Sequence, residues 1–254
     1  MANPFLSIVI PAFNEEKRLP VTLELVYSFL KNQPFECEVL IVENGSTDRT
    51  FKVAQEFSER HDQFRVLEAG RGKGLAVRQG MLEAEGEYCF MSDADLSMPI
   101  SEIMRFLPPA LADFDLAIGS REAVGAMRYD EPVYRHLGGR LINLLIRLLA
   151  LPGMHDTQCG FKCFHFSVVR DLFEHQTMGG WSFDIELLYI ARLRGYRIVE
   201  VPIPWYFNPE SKLNVIQDAF RMAKDILQIR QNARNGDYDK TAVQASERIT
   251  PGVD

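Results

Sequence analysis

Short apolar runs alternate with helically spaced apolar positions through the first half of the chain. Leu6-Ser7-Ile8-Val9-Ile10-Pro11 is a nearly continuous apolar run closed by proline, and it predicts a buried strand. Leu19, Leu23, Val26 and Leu30, with Tyr27 beside them, follow at spacings of three and four, the stripe of an amphipathic helix. Residues 38–42, 64–67, 88–91 and 115–119 predict four further strands. Between them lie two helical stretches. One has Val53, Ala54 and Phe57 on its apolar face, with Ser46 or Thr47 as its expected cap; the other runs through Ala76, Val77, Gly80 and Met81. Strand and helix thus alternate with short links over residues 5–120. That rhythm predicts an α/β fold, a mostly parallel sheet with helices on both faces.

The second half is less regular. Residues 122–135 form a polar segment carrying Arg128, Asp130 and Arg135. Residues 140–151 are intensely apolar except for Arg140, Asn143 and Arg147, whose spacing puts them on one helix face. A polar turn, His155-Asp156-Thr157-Gln158-Cys159-Gly160-Phe161-Lys162, leads into a short strand at 163–166. Trp181 opens another helix, and Pro202 and Pro204 mark 197–202 as an edge strand. Residues 213–231 predict an amphipathic helix with Val215, Ile216, Phe220, Ala223, Ile226 and Leu227 on one face. Residues 235–254 are polar and aperiodic, which predicts a disordered tail.

Composition narrows the class. A hydrophobic share of 46% and a charged share of 25% are ordinary for a globular protein of 254 residues. The net charge of −7 argues against a general nucleic-acid binder. No run reaches the ~18 apolar residues of a membrane span, and residues 1–4 lack the basic region of a signal peptide. The four cysteines lack the matched halves of a zinc site and read as reduced thiols in a cytoplasmic protein.

Candidate chemistry gathers at strand ends. Tyr88-Cys89-Phe90-Met91-Ser92 ends in Asp93-Ala94-Asp95, two carboxylates that point the same way in an extended chain. Like charges aimed at one point need a cation between them, and hard oxygens suit Mg²⁺ or Mn²⁺; taken alone, the pair also fits a turn. Asn14, Glu15, Glu43, Asn44, Asp48, Arg71, Lys73 and Arg121 also follow predicted strands. In parallel sheets ligands bind beyond the carboxyl ends of the strands, so these residues share one expected rim.

These motifs, in this order, resemble the family 2 GT-A glycosyltransferases. The likeness rests on Ser7-Ile8-Val9-Ile10-Pro11-Ala12-Phe13-Asn14-Glu15, Gly45-Ser46-Thr47-Asp48, Arg71-Gly72-Lys73-Gly74, Asp93-Ala94-Asp95 and Gly119-Ser120-Arg121. Asp156 to Lys162, Trp181 to Leu188 and Ser211-Lys212 are most similar to the dolichyl-phosphate glucosyltransferase and mannosyltransferase branch. The resemblance implies a single GT-A domain over residues 1–234, with a nucleotide-sugar half at about 5–121 and an acceptor half at about 122–234. It implies inverting transfer of glucose or mannose from a UDP- or GDP-sugar to a polyprenyl or dolichyl phosphate, with Mg²⁺ or Mn²⁺ as cofactor. Asp95 would be the main metal ligand, with Asp93 and Ser97 assisting. Pro11, Phe13, Glu15, Glu43, Lys73, Asp93 and Ala94 would contact the nucleotide sugar. Arg121, Arg128, Arg135, Gln158 and Lys212 would hold the acceptor phosphate. Asp156 and Asp184 would line the sugar or acceptor site, although Asp184 could instead cap the helix it begins.

The resemblance further implies peripheral attachment at the cytoplasmic membrane face, through the 141–151 helix with Arg140 and Arg147 near headgroups, and allows a homo-oligomer. Two departures stand out. Asn44 replaces a frequent second acidic residue, and the membrane helices of some relatives are missing from this sequence. Two alternatives stay open: a soluble or lipid hydroxyl acceptor, for which Asp156 or Asp184 would be the base, and a nucleotide-sugar-binding pseudoenzyme. Pro11-Ala12-Phe13-Asn14-Glu15 stands where a sugar nucleotidyltransferase would carry a glycine-rich loop, which argues against that class.

Overall fold

The computed structural model describes residues 3–208 and 215–239. In chain order the elements are β1 (Leu6–Ala12), α1 (Leu19–Leu30), β2 (Cys37–Glu43), α2 (Thr50–Ser58), β3 (Phe64–Glu68) and α3 (Lys73–Glu83). β4 (Tyr88–Ser92), a 3₁₀ helix (Ile100–Phe106), β5 (Leu116–Ser120), β6 (Met127–Tyr129) and α4 (Val133–Leu149) follow. The chain continues through β7 (Phe161–His165), α5 (Phe166–Glu174), α6 (Phe183–Leu193), β8 (Ile198–Pro202), β9 (Pro204–Tyr206) and α7 (Val215–Asn235).

Seven strands form one sheet in the order β3-β2-β1-β4-β7-β5-β8, and β6 and β9 pair separately. All neighbours in the large sheet are parallel except β7, which runs antiparallel to β4 and β5. β1, β4 and β5 are buried along their whole length, as strands covered on both faces must be. One core joins Val9, Val42, Met91 and Ile118 to residues of α3, α5, α6 and α7. The other joins Ile8, Ile10, Phe90 and Phe161 to α1, α2 and the 3₁₀ helix. Phe90, Phe161 and Phe106 meet edge to face, with centroids 4.5–5.5 Å apart, and form a stiff floor below the ends of β4 and β7.

Several boundaries differ from those expected. β1 runs past Pro11 to Ala12. Its pairing with β4 ends at Val9↔Met91, so proline lies beyond the ladder on that edge. α2 starts at Thr50 rather than just after Ser46 or Thr47, because those two residues are bound to Asn14. The Asp48 carboxylate instead takes the N–H and hydroxyl of Thr50. α4 begins at Val133, and α7 extends through Asn235 to a turn that buries Tyr238, so order persists into the expected tail. Burial pushes the thiols of Cys89 and Cys159 up to about 12, which keeps them protonated.

Candidate active site

Chain direction explains why the polar clusters meet. β1, β2, β4 and β5 end at one rim, and antiparallel β7 starts there. The pairing Ser92↔Phe161 sets Gly160 directly beside Asp93. A Cβ on Gly160 would lie 1.9 Å from Asp93 Oδ2, so only glycine fits against that carboxylate. Asp95 Oδ1 accepts the N–H of Ser97 at 3.0 Å, and the intervening Leu96 adopts a left-handed φ of 44°. A bulky residue in that region marks local strain, a common companion of functional turns. Thr22 of α1 donates its hydroxyl to the Ala94 carbonyl at 2.6 Å and ties the turn to the fold.

Lys73, the first residue of α3, ion-pairs with Asp93 at 2.6 Å. Burial pulls its ammonium down, but Asp93, Asp184 and Asp95 outweigh that effect, and its pKa is raised. The other residues expected on the nucleotide side are each fixed by local contacts. Glu43 is buried and accepts the Ser46 N–H. Asn14 Oδ1 accepts the Thr47 N–H at 2.9 Å, which knits the loops after β1 and β2 together. Phe13 is exposed, with the Arg71 guanidinium 5.3 Å from its ring centroid. Pro11 is buried in β1, and Glu15 forms a bidentate pair with Arg18 at 2.6 and 2.7 Å.

On the expected acceptor side Arg121 grips the fully buried Asp156. Its backbone N–H, Nε and Nη2 donate to that carboxylate at 3.0, 2.6 and 2.9 Å. Burial pushes the Asp156 carboxyl up, but Arg121 overcomes it and holds the pKa at about 2. Asp156 in turn holds Arg121 raised. Glu200 of β8 accepts the backbone N–H groups of His155 and Asp156 and fixes the turn. Gln158 donates its backbone N–H to Asp156 at 3.3 Å. Arg128 lies next to Arg121, donating to its carbonyl at 3.2 Å, and both guanidiniums flank the Trp205 ring at 5.5 and 5.7 Å. Arg128 also holds Glu122 and Glu131, so the expected cationic cradle is already offset by carboxylates. Arg135 stands in the first turn of α4, and Lys212 lies outside the described residues.

Asp184 does not cap α6, whose N-cap is Ser182. It pairs instead with Lys162 of β7 at 2.6 Å, both side chains being buried. Burial raises the Asp184 pKa against the pull of Lys162 and Lys73. Lys162, Gly160, Trp181 and Trp205 are not among the site residues expected from the sequence. A lone lysine in the apolar strand Phe161–His165 and a lone aspartate opening the apolar helix Phe183–Leu193 were the available signal, since such charges must pair when buried.

Among the described residues no three His, Cys, Asp or Glu side chains converge as a metal cage. Asp93, paired with Lys73, and Asp95, bound to Ser97, are two carboxylates of one turn; such a donor set fits a cation whose remaining ligands are phosphate oxygens and water, the usual arrangement for Mg²⁺-type nucleotide sites. A shallow cavity lined by Tyr88, Asp115, His165 and Arg197 opens at the opposite end of the strands, away from these groups.

The molecule thus has the GT-A fold, an α/β sheet with its polar residues at one rim. Glucosyl-3-phosphoglycerate synthase from Mycobacterium tuberculosis, solved with Mn²⁺, UDP-glucose and phosphoglyceric acid, shares it with a TM-score of 0.66. The two are 16% identical over 88% of this chain and 78% of that one. Residues 7–173 match the sequence model of Glycosyl transferase family 2. The dolichyl-phosphate beta-glucosyltransferase of Drosophila melanogaster is 34% identical over 96% of this chain and 79% of its own length. The enzymes of that name from Homo sapiens and Saccharomyces cerevisiae are 36% and 33% identical, covering 89% and 92% of this chain and 74% and 76% of their own lengths. The chain belongs to glycosyl transferase family 2 and is a glycosyltransferase.

Proposed function

We propose that this enzyme transfers glucose from UDP-glucose to a dolichyl- or polyprenyl-type lipid phosphate, with inversion at the anomeric carbon. The sugar and acceptor class follow the relatives, whose names specify glucosyl transfer to dolichyl phosphate; UDP as the carrier follows the UDP-glucose bound in glucosyl-3-phosphoglycerate synthase. Residues 5–121 would serve as the nucleotide-sugar half and 122–234 as the acceptor half, within one domain. One observation from the site carries the choice of a phosphate acceptor. Asp156 and Asp184, the two candidate bases, are bound to Arg121 and Lys162. A hydroxyl acceptor needs a base to remove its proton. A phosphate monoester, with a second pKa of about 6, arrives already ionised.

In this reading Glu43, Asn44 and Phe13 border the base and ribose. The start of α3 and Lys73 face the diphosphate, where a helix N-terminus and an ammonium both favour negative charge. Asp95 and Asp93, with Ser97, would hold a divalent cation; when bound, such a cation neutralises the charge that builds on the leaving diphosphate. Arg121 and Arg128 would take the acceptor phosphate, which displaces Glu122 or Glu131 from Arg128 as it binds. A phosphate oxygen then attacks the anomeric carbon from the face opposite the diphosphate.

A lipid acceptor calls for contact with a membrane surface. No helix among the described residues is long and apolar enough to cross one. α4 and α7 pack together and expose Leu144, Leu148, Phe220 and Leu227, beside exposed Arg140 and Arg147. An apolar face edged with arginine suits an anionic interface at the cytoplasmic side. The test is to offer UDP-glucose and GDP-mannose separately, with polyprenyl phosphate and Mn²⁺ or Mg²⁺, and to extract the product into organic solvent. Lipid-extractable glucose from UDP-glucose supports the reading. Mannose transfer from GDP-mannose alone would replace it.

A further inference from the structure

The first turn of α3 is seated on the loop that joins α5 to α6. Gln176 Nε2 donates to the carbonyls of Gly74 and Met178 at 2.9 and 2.8 Å, and the Leu75 N–H donates to the Gly179 carbonyl at 3.3 Å. The contact is backbone on backbone. A Cβ on Gly72 would fall 2.4 Å from the Gly179 oxygen, and one on Gly74 would fall 2.5 Å from that of Met178. Trp181, 67% exposed, lays its ring 5.1 Å from the Lys73 ammonium. A shift of this loop therefore moves Lys73, and with it the Lys73–Asp93 pair.

Behind the loop lies Glu186 of α6, completely buried. Its carboxylate accepts the Thr177 N–H at 3.0 and 3.1 Å, the Thr177 hydroxyl at 2.6 Å and the Met178 N–H at 2.8 Å. The Tyr238 hydroxyl donates to it at 2.8 Å. A buried carboxylate met by neutral donors is costly to fold, and here every donor comes from the loop or from the turn after α7. α7 reinforces both ends of the loop: Asn232 donates to the Thr177 hydroxyl oxygen at 3.0 Å, and the Ser182 hydroxyl donates to Asp225 at 2.6 Å.

We infer that Glu186 is a positioning residue for glycosyl transfer: braced by Tyr238 and α7, it holds the 176–181 loop, and through it Lys73, in register with Asp93. The inference rests on the reading above that Lys73 and Asp93 serve nucleotide-sugar transfer. A merely structural Glu186 would affect stability without regard to Lys73. The test uses the full chain with E186Q, Y238F, K73M and the E186Q/K73M double variant, measured with UDP-glucose, Mn²⁺ and polyprenyl phosphate. E186Q keeps the shape but turns an amide N–H toward donors. It is expected to lower kcat/KM for UDP-glucose by about 30-fold in the wild-type background and by less than about threefold beside K73M. Y238F, which removes one bond, is expected to cost about threefold. In a W205F background Trp181 is the only tryptophan, and its emission should shift in both E186Q and Y238F. Equal losses with and without Lys73, or kcat/KM of E186Q within threefold of wild type, would overturn the inference. If E186Q does not fold, Y238F and Y238F/K73M decide: a loss of about threefold that vanishes beside K73M upholds the inference, and no loss, or an equal loss in both backgrounds, overturns it. If the wild type transfers no glucose, the parent reading fails, and Trp181 emission still decides the brace: unchanged emission in both variants refutes it.

Discussion

Replacing Asp156 by asparagine removes one buried charge beside Arg121 while keeping its shape. Asp156 is completely buried, and the Arg121 guanidinium and backbone account for three of its bonds. Arg121 holds its pKa at about 2, against an ordinary value of 3.8. At ~1.4 kcal/mol per unit, that depression corresponds to roughly 2–3 kcal/mol of stability at neutral pH. Because the folded pKa is the lower one, the stabilisation is fully present above 3.8 and fades as pH falls through about 2. About half of it remains at pH 3. Asp156→Asn should therefore cost about 3 kcal/mol at pH 7, the range for breaking a buried pair. The gap from wild type should narrow by about 1 kcal/mol at pH 3. Urea denaturation of both proteins at the two pH values measures this directly. A gap below about 1 kcal/mol at pH 7, or one that does not change with pH, would refute the claim that Asp156 holds Arg121 in place.

Other perturbations reach different parts of the site. Asp95→Asn should lower metal-dependent turnover by more than about 100-fold with its melting temperature nearly unchanged, and chelation of the wild type should do the same until Mn²⁺ or Mg²⁺ is restored. Gly160→Ala forces a methyl into the Asp93 carboxylate; initial-rate kinetics should show a rise in KM for UDP-glucose of at least about tenfold. Leu144→Glu combined with Leu148→Glu should release the protein from anionic vesicles in a sedimentation assay while leaving UDP binding by calorimetry intact, since both side chains are exposed on α4.

The first half of the chain was legible because strand direction and rim position follow from simple alternation. Each buried run from Leu6 to Ser120 ends at one rim, so Asn14, Glu43, Asp93 and Arg121 could be placed before any geometry was known. The second half was not, because periodicity does not reveal whether a strand runs parallel or antiparallel. β7 runs backwards, and only that reversal brings Asp156 to Arg121 and Gly160 to Asp93. Lys162 was read as part of a polar turn, and its partner Asp184 lies 22 residues away on a helix. Arg128 carried the right charge for a phosphate, but local sequence does not show that Glu122 and Glu131 already sit on it.

A lipid phosphate acceptor needs no protein base, whereas a lipid alcohol does. The most direct test gives the enzyme UDP-glucose with either polyprenyl phosphate or the polyprenol of the same chain length, and measures UDP release together with glucose in the organic phase. One UDP should be released per lipid-linked glucose with the phosphate, and none above background with the alcohol. Equal transfer to the alcohol would contradict this and return Asp156 and Asp184 to the role of base.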